Sequence, residues 1–279
     1  MTLWVGTTPW RCENHSMSRD TPSSMIGRVL TLLDAVAEAD ITSRRDLARA
    51  TGLPQATCNR IVARLVAERM LAEGPAGLRL GLRLFELGTQ AAQAGLTLLD
   101  VAGPYLLDLH TTLGWTVQLA VLDGDTVIYL LKINASHRPR LDTRVAGRFP
   151  PHCTGAGKAL LAFSPPELVD NVLDRTALTA RTPSTITNRQ LLLSELQATR
   201  RRGYAIDRGE FQTGLAGVAV PIRQRTRPVG AVTLSGPTES FDPPRAAHAA
   251  RVVAQLIESR LAPGAVAIRK SSAHGEVER

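Results

Sequence analysis

SRRDLARATGLPQATCNRIVAR, residues Ser43–Arg64, is the stretch that decides the fold. It reads as two helices around a tight turn. Ser43 and Asp46 form an S-x-x-D pair that caps the first helix. Gly52 supplies the stop that ends it. Pro54, a residue favoured at the first helical position, opens the second helix, which runs to about Arg69. Leu47, Leu53, Cys58 and Ile61 fall where a small core would close, and Ala48 is small where the two helices cross. Two helices joined in this way can dock the second in a DNA major groove. Gln55, Ala56, Thr57, Asn59, Arg60 and Arg64 are left facing outward. Gln and Asn can read adenine edges, Arg can read guanine, and Thr can hold a phosphate. The same pattern also suits a three-helix module with a purely structural role.

Working outward, Ile26, Val29, Leu30, Leu33, Val36 and Ala37 recur at helical spacing and predict an amphipathic helix with those residues buried. Downstream, Leu71–Leu82 carries Gly74, Pro75, Gly77 and Gly81, and reads as two short strands around a turn. Such a hairpin is a wing, with Arg79 placed to reach phosphate or the minor groove. Residues 24–83 are thus expected to form a winged helix-turn-helix. Residues 84–97 read as a linker helix whose small residues (Gly88, Ala91, Ala92, Ala94) would let two subunits cross closely. Residues 1–23 read as an irregular extension, with Met17 and Met25 as further possible starts.

After the linker the texture changes. Asp100–Leu113 predicts a helix, with Pro104 in its first turn and Val101, Leu106, Leu109 and Leu113 inward. Beyond Gly114 the period falls to two. Thr116–Val121 and Thr126–Leu131 predict a β-hairpin with a longer turn. Helices are expected at Gly157–Phe163, from Pro165-Pro166, and over Ser194–Arg202, the last closed by Gly203. Val218–Ile222 and Val229–Ser235 read as strands. Ala246–Leu261 reads as a final helix with Val252, Val253, Leu256 and Ile257 inward. The fold class is therefore α+β, with a second domain over 98–262 and a mobile tail over 263–279.

The whole-chain numbers narrow the function. At 279 residues, 44% hydrophobic and 21% charged, the chain has an ordinary globular composition, which excludes wholesale disorder. No apolar run is long enough to span a membrane, and no secretory leader is expected. Cys12, Cys58 and Cys153 are odd in number and widely spaced, as in a reduced cytosolic protein and not a disulfide scaffold. The net charge is +8, and 30 of the 33 cations are Arg, which favours a polyanionic partner. That excess is +2 over residues 1–97 and +5 over 98–262, so it is not concentrated on the helix-turn-helix.

A second constellation lies at Phe149-Pro-Pro-His-Cys-Thr-Gly-Ala-Gly-Lys-Ala-Leu-Leu-Ala162. It is not a phosphate-binding P-loop: His152 stands where the first Gly belongs, and Ala159 replaces Ser/Thr. Gly155, Ala156 and Gly157 instead open a helix whose free N–H groups can hold a small anion such as a carboxylate, or simply start the helix tightly. Asp207 and Glu210 admit an acid/base reading, and His152-Cys153 a nucleophilic one. Neighbours in an extended chain point apart, however, and no H-E-x-x-H, G-x-S-x-G or paired C-x-x-C is present. No catalytic residue, metal or cofactor is expected. His110, His137 and His248 read as surface or satisfied residues, and Arg200–Arg202 as the solvated end of a helix.

Taken together these motifs resemble the IclR family of bacterial transcription regulators. The resemblance is carried by Thr51-Gly52-Leu53-Pro54, Asn59-Arg60-Ile61-Val62 and Leu80-Gly81-Leu82-Arg83-Leu84. In the second half it is carried by Gly155-Ala156-Gly157-Lys158-Ala159, Gly203-Tyr204-Ala205-Ile206-Asp207, Val218-Ala219-Val220-Pro221 and Ser235-Gly236-Pro237, and it covers about residues 24–262 in order. It implies a GAF/profilin-like effector domain whose pocket takes a small, carboxylate-bearing metabolite. By motif, the effector positions would be Phe149, Gly155, Ala156, Asp207, Leu215, Gly217, Thr233 and Ser235. It implies a homodimer or tetramer on a palindromic double-stranded operator, in the cytoplasm. Three departures bear on specificity. Asn59 stands where the family often has His, Arg79 stands two residues before Gly81 where the family commonly has Tyr before the Leu-Gly motif, and Gly217 stands where Cys is frequent, which leaves room for a bulkier effector. The competing readings are a ligand-binding module acting through protein contacts, and an enzyme using Cys153 or Asp207.

Overall fold

The computed structural model describes residues 24–38, 43–75, 77–95, 97–136 and 140–261. The expected extension at 1–23, the tail from 263 and His137 lie outside the described residues. The chain divides between Ala94 and Gly95 into two compact units.

The first unit runs α1 (Met25–Glu38), α2 (Arg44–Thr51), α3 (Gln55–Ala67), the antiparallel pair β1 (Leu71–Gly74) and β2 (Gly77–Leu80), and α4 (Leu82–Gly95). The cap of α2 is the one read in the sequence. Ser43 Oγ accepts from the Asp46 N–H at 3.1 Å and donates to Asp46 Oδ2 at 2.6 Å. Such a cap stabilises a helix by about 1 kcal/mol. Gly52 ends α2 with φ 69°, a left-handed backbone. Leu32, Val36, Leu47, Leu53, Cys58, Ile61, Val62 and Leu65 close the core, with Leu71 and Leu78 from the hairpin.

The inward stripe of α1 differs from the expected one. Leu32 is fully buried, whereas Ile26 is 74% and Leu30 54% exposed, and Ala37 is exposed too. Apolar residues surround this helix on nearly every side, so periodicity alone has two solutions. Packing against α2 and α3 selects Val29, Leu32, Leu33 and Val36.

Gly81 explains how the wing rejoins the helices. A Cβ there would lie 2.0 Å from the Arg69 carbonyl oxygen, so no side chain is admitted. Instead Gly81 N–H donates to Met70 O at 2.8 Å and Arg83 N–H to Arg69 O at 3.2 Å.

The second unit opens with α5 (Thr97–Leu113), then β3 (Thr116–Asp123) and β4 (Thr126–Ile133). It continues through β5 (Arg148–Phe149), α6 (Gly155–Ala162), α7 (Pro166–Arg175), α8 (Arg189–Arg202), β6 (Ala205–Asp207), β7 (Leu215–Gln224), β8 (Arg227–Pro237) and α9 (Pro243–Arg260). One sheet runs β5-β4-β3-β8-β7-β6, each neighbouring pair antiparallel.

Its two faces differ in chemistry because successive residues alternate. Val117, Leu119, Val218, Val220, Val232 and Leu234 form the core beneath α5 and α9. Gln118, Ala120, Ala219, Ala231 and Thr233 point the other way, toward α6. This is the expected α+β architecture.

Several local expectations shift. α5 starts at Thr97, so Pro104 sits inside the helix and not in its first turn. The β3–β4 turn is only Gly124-Asp125, with Gly124 at φ 61°. α8 begins at Arg189, where Asn188 Oδ1 accepts from two backbone N–H groups. Val252 and Leu256 on α9 are exposed, while Val253 and Ile257 are buried. β5 and β6 are too short to leave a periodic signal.

Candidate functional site

The first candidate surface is α3. Cys58, Ile61, Val62 and Leu65 bury one side of it. That leaves Gln55, Ala56, Asn59, Arg60 and Arg64 exposed and Thr57 half-buried. Gln55 Nε2 donates to Asn59 Oδ1 at 3.0 Å, so two amide side chains one turn apart form a pre-set pair. Arg64 is tied to Glu68 at 2.7 Å along the same helix. Arg60 on α3 and Arg79 on β2 are exposed and make no ion pair with any described residue. The wing is held to α2 by a fork: Arg44 Nε and Nη2 donate to the two carboxylate oxygens of Glu73 at 3.0 and 2.6 Å. Cys58 is buried, and burial pushes its thiol pKa up, so it serves as a small hydrophobe.

The second candidate is a pocket between the polar face of the large sheet and the start of α6. Strand register builds its floor. Asp207 on β6 pairs with Gly217 on β7, and Gly217 with Ser235 on β8, so the three form one row. The next row is Ala219, Thr233 and Gln118. Thr154 caps α6 by accepting from Gly157 N–H at 3.1 Å. The N–H groups of Gly155 and Ala156, first in the helix, have no acceptor within it. Tyr129, Phe211 and Leu141 complete its lining.

The three residues that open α6 are not equivalent. A Cβ at Gly157 would lie 2.2 Å from the Pro151 carbonyl oxygen, so glycine is compelled there by the 3-10 turn Pro151–Cys153. A Cβ at Gly155 would meet Ala219 and Asp207 Cβ at 3.6 and 3.7 Å, ordinary contact. Crowding therefore does not compel glycine at 155.

The electrostatics centre on Asp207. Its Oδ1 accepts from the N–H groups of Glu210 at 2.7 Å and Phe211 at 3.4 Å. Burial pushes its pKa up to about 7; nearby Lys158 pulls it down and Glu210 pushes it up. Lys158 is fully buried, and its Nζ donates to the Ile206 carbonyl at 2.6 Å and to Glu210 Oε1. Tyr129 is pushed up by burial and by Asp207, so its phenol stays protonated. Among the described residues the pocket lining contains no Lys or Arg.

The nucleophile reading finds no geometry. Burial pushes the Cys153 thiol up to about 12, and its Sγ lies near Pro150 O. His152 Nε2 meets Thr179 O at 3.0 Å, and burial keeps the ring neutral. The two side chains bond elsewhere and not to each other. Glu210, the other member of the acid/base pair, is turned inward onto Lys158.

Of the eight effector positions expected from sequence, Gly155, Ala156, Asp207, Gly217, Thr233 and Ser235 line this pocket together. Phe149 and Leu215 do not. The Phe149 ring is packed edge-on between Tyr129 and Phe211, at 5.3 and 5.7 Å. Leu215 is buried against Pro237, one step beyond the floor row. Sequence reasoning missed Gln118, Tyr129, Leu141, Thr154, Phe211 and Val218. Gln118 alone left a signal: a polar residue inside an apolar strand, directly across from Thr233.

Two family descriptions match the chain: "IclR helix-turn-helix domain" over residues 26–75 and "Bacterial transcriptional regulator IclR C-terminal" over 90–260. The chain is 33% identical over 216 residues to the transcriptional repressor IclR of Escherichia coli K12, covering 75% of this chain and 78% of that one. It is 30% identical over 221 residues to the transcriptional regulator XynR of the same organism, covering 78% and 87%. Among solved structures, an IclR homolog from Microbacterium hydrocarbonoxydans complexed with 4-hydroxybenzoate aligns with a TM-score of 0.78 and 31% identity. That alignment covers 85% of this chain and 98% of the other. The Thermotoga maritima IclR aligns with a TM-score of 0.70 at 25% identity, over 84% and 97%. These relatives are regulators and repressors, not enzymes. Among the described residues no helix is long and apolar enough to cross a membrane.

Proposed function

This chain belongs to the IclR family of transcriptional regulators, with a helix-turn-helix DNA-binding domain, and on that footing we propose that a carboxylate-bearing metabolite in the Asp207 pocket controls its operator binding. The observation that carries this reading is the pocket itself. One row of the sheet brings Asp207, Gly217 and Ser235 beneath two free helix N–H groups, in the same chain as an exposed, amide- and arginine-bearing α3. The helix-start N–H groups suit a carboxylate. Gln118, Thr233, Ser235 and the Tyr129 phenol suit hydroxyl or carbonyl groups, and Phe211 suits an aromatic or aliphatic body. The 4-hydroxybenzoate held by the Microbacterium relative has that composition.

On DNA, Gln55, Asn59 and Arg60 are assigned to base edges. Ala56 makes apolar contact with a thymine methyl, and Thr57, Arg64 and Arg79 contact the backbone. One head covers a half-site. A homodimer, or a tetramer, with heads about 34 Å apart would read a palindrome in the cytoplasm, where the chromosome lies. The effector acts by binding one arrangement of the heads better than another, which shifts operator occupancy by its differential affinity.

The test is selection of bound fragments from the source genome by the purified full chain, with affinity followed against salt. Recovery of a palindromic site, weakened steeply by salt and lost with Arg60→Ala, establishes the operator reading. Release or tightening of that site by a carboxylate, absent in Asp207→Ala, establishes the pocket. Weak binding without sequence preference, with and without carboxylates, moves function to a ligand module acting through protein contacts.

A further inference from the structure

We propose that a carboxylate-bearing effector enters this pocket together with one proton, which Asp207 takes up and then donates to the effector as a hydrogen bond. The proposal rests on the reading of the pocket as the effector site and adds to it a linkage to pH.

The argument starts from where an anion would sit. The N–H groups of Gly155 and Ala156 are the donors that the start of α6 offers to the pocket. Gly155 and Asp207 both line the pocket, and a Cβ built on Gly155 would lie 3.7 Å from Asp207 Cβ. We place a carboxylate held by those N–H groups beside the Asp207 carboxyl group, which lines the same pocket.

Among the described residues no Lys or Arg lines the pocket between them. Lys158, the nearest, is committed to Ile206 O and Glu210 Oε1. The other charged or titratable groups around Asp207 are Glu210 on the following turn, the Tyr129 phenol on β4 and the Cys153 thiol before α6. Glu210 adds repulsion, and Tyr129 and Cys153 are neutral. Arg181 stacks on the Phe211 ring, with its carbon 4.2 Å from the centroid, and donates to Phe211 O. Two adjacent carboxylates in such a site do not both stay ionised.

The hydrogen-bond pattern shows which oxygen carries the proton. Oδ1 of Asp207 accepts two backbone N–H groups and has no proton to give. Oδ2 makes no bond to any described residue and is the atom left for the effector. The step balances simply. Ionised Asp207, an effector carboxylate and one solvent proton become a neutral Asp207 whose Oδ2–H donates to the effector oxygen. Below the Asp207 pKa the proton is already in place and binding needs none. Above it, each bound effector draws one from solution.

The experiment is titration calorimetry on the full chain between pH 5.5 and 8.5, in buffers of differing ionisation enthalpy. The probes are 4-hydroxybenzoate, a short series of aliphatic and aromatic carboxylates, and the uncharged 4-hydroxybenzamide. Carboxylate affinity is expected to be level below about pH 6 and to fall about tenfold per unit above about 7, with uptake approaching one proton. Between pH 6 and 8.5 the loss is about thirtyfold for a pKa near 7. The amide should show level or rising affinity over the same range. Asp207→Asn, which keeps the shape and cannot ionise, should bind carboxylates with no pH dependence. Carboxylate binding in the native chain that is level from pH 6 to 8.5, with no proton uptake, would overturn the proposal and leave the pocket reading intact. Absence of carboxylate binding even at pH 5.5 would overturn the carboxylate reading, and this proposal with it.

Discussion

Lys158 on α6 donates to Glu210, not to Asp207, with both members of the pair almost closed to solvent. The bond joins the helix that covers the sheet to the turn after β6, and so fixes the backbone from which Asp207 projects. The second oxygen of Glu210, Oε2, is buried without a hydrogen-bond partner. Among the described residues the ammonium is therefore the hydrogen-bond partner that offsets burial of this carboxylate. Removing it leaves an uncompensated buried charge, which costs about 3–5 kcal/mol. Lys158→Met is expected to lower the melting temperature of the second unit by many degrees. Lys158→Met with Glu210→Leu should recover most of the loss, because apolar pairs of similar volume often replace a buried ion pair at little cost. Calorimetric scans of the full-length variants would check both. A double variant as unstable as the single one would show that the pair contributes more than mutual neutralisation.

Asp207 also makes stability depend on pH, and the sign is fixed. Its folded pKa of about 7 lies above the ordinary 3.8, so the folded chain binds the extra proton between those values. Stability from this group is present below pH 4 and is lost as pH rises toward 7, by at most about 1.4 kcal/mol per unit. His152, held neutral by burial, acts the other way below its ordinary value of 6.5. The contribution is isolated by subtraction. Between pH 5 and 8, Asp207→Asn should gain about 1–3 kcal/mol relative to the native chain. Urea titrations of the second unit at several pH values would measure it. Parallel pH curves for the two proteins would mean that Asp207 titrates normally.

The sequence was informative where one residue had one physical job. Ser43, Gly52 and Gly203 mark helix ends through capping or positive φ, and the helices end there. The floor of the pocket was legible by motif, since Asp207, Gly217, Thr233 and Ser235 sit on strands whose alternation brings them to one face. The rest depended on choices that periodicity does not make. α1 is apolar on nearly every side, and only packing tells Leu32 from Leu30. Phe149 and Phe211 are both aromatic, yet one is walled off and the other lines the pocket. Tyr129 comes from an apolar hairpin strand and gave no local sign that it faces a cavity.

Gly217 sets the breadth of the floor. A Cβ there would meet Ser235 Oγ at 2.9 Å and Leu234 O at 3.1 Å. Gly217→Ala or Gly217→Cys must therefore push Ser235 into the pocket or lift β7 from β8. Overpacking of this kind costs about 1–3 kcal/mol. The larger effect is expected in selectivity. Aromatic carboxylates should lose about tenfold or more in affinity relative to two- and three-carbon acids, since the added bulk lies on the floor they would cover. Competition between benzoate-type and short aliphatic acids, followed by thermal shift, would test it. An unchanged ranking would place the effector body away from the β7–β8 floor.

The last expectation separates the arginines of the DNA-binding unit. Arg60 and Arg64 lie one turn apart on α3, yet only Arg64 is paired, with Glu68 at 2.7 Å. An arginine in an ion pair must give up that partner to reach DNA, so Arg64→Ala should cost less than Arg60→Ala. Arg79 stands on the wing, whose hairpin is anchored to α2 by the Arg44–Glu73 fork. Arg60→Ala is therefore expected to weaken operator binding about tenfold or more and to relax the preference at one base position. Arg79→Ala should weaken specific and non-specific sites alike and lower the salt slope by about one. Glu73→Ala should mimic Arg79→Ala in part, because it frees the wing without touching a DNA-facing residue. Affinities of the four variants for a selected site and a scrambled one, over a salt series, would resolve these patterns. If Arg60→Ala changed the salt slope but left the base preference intact, Arg60 would be a phosphate contact, and base reading would rest on the Gln55–Asn59 pair.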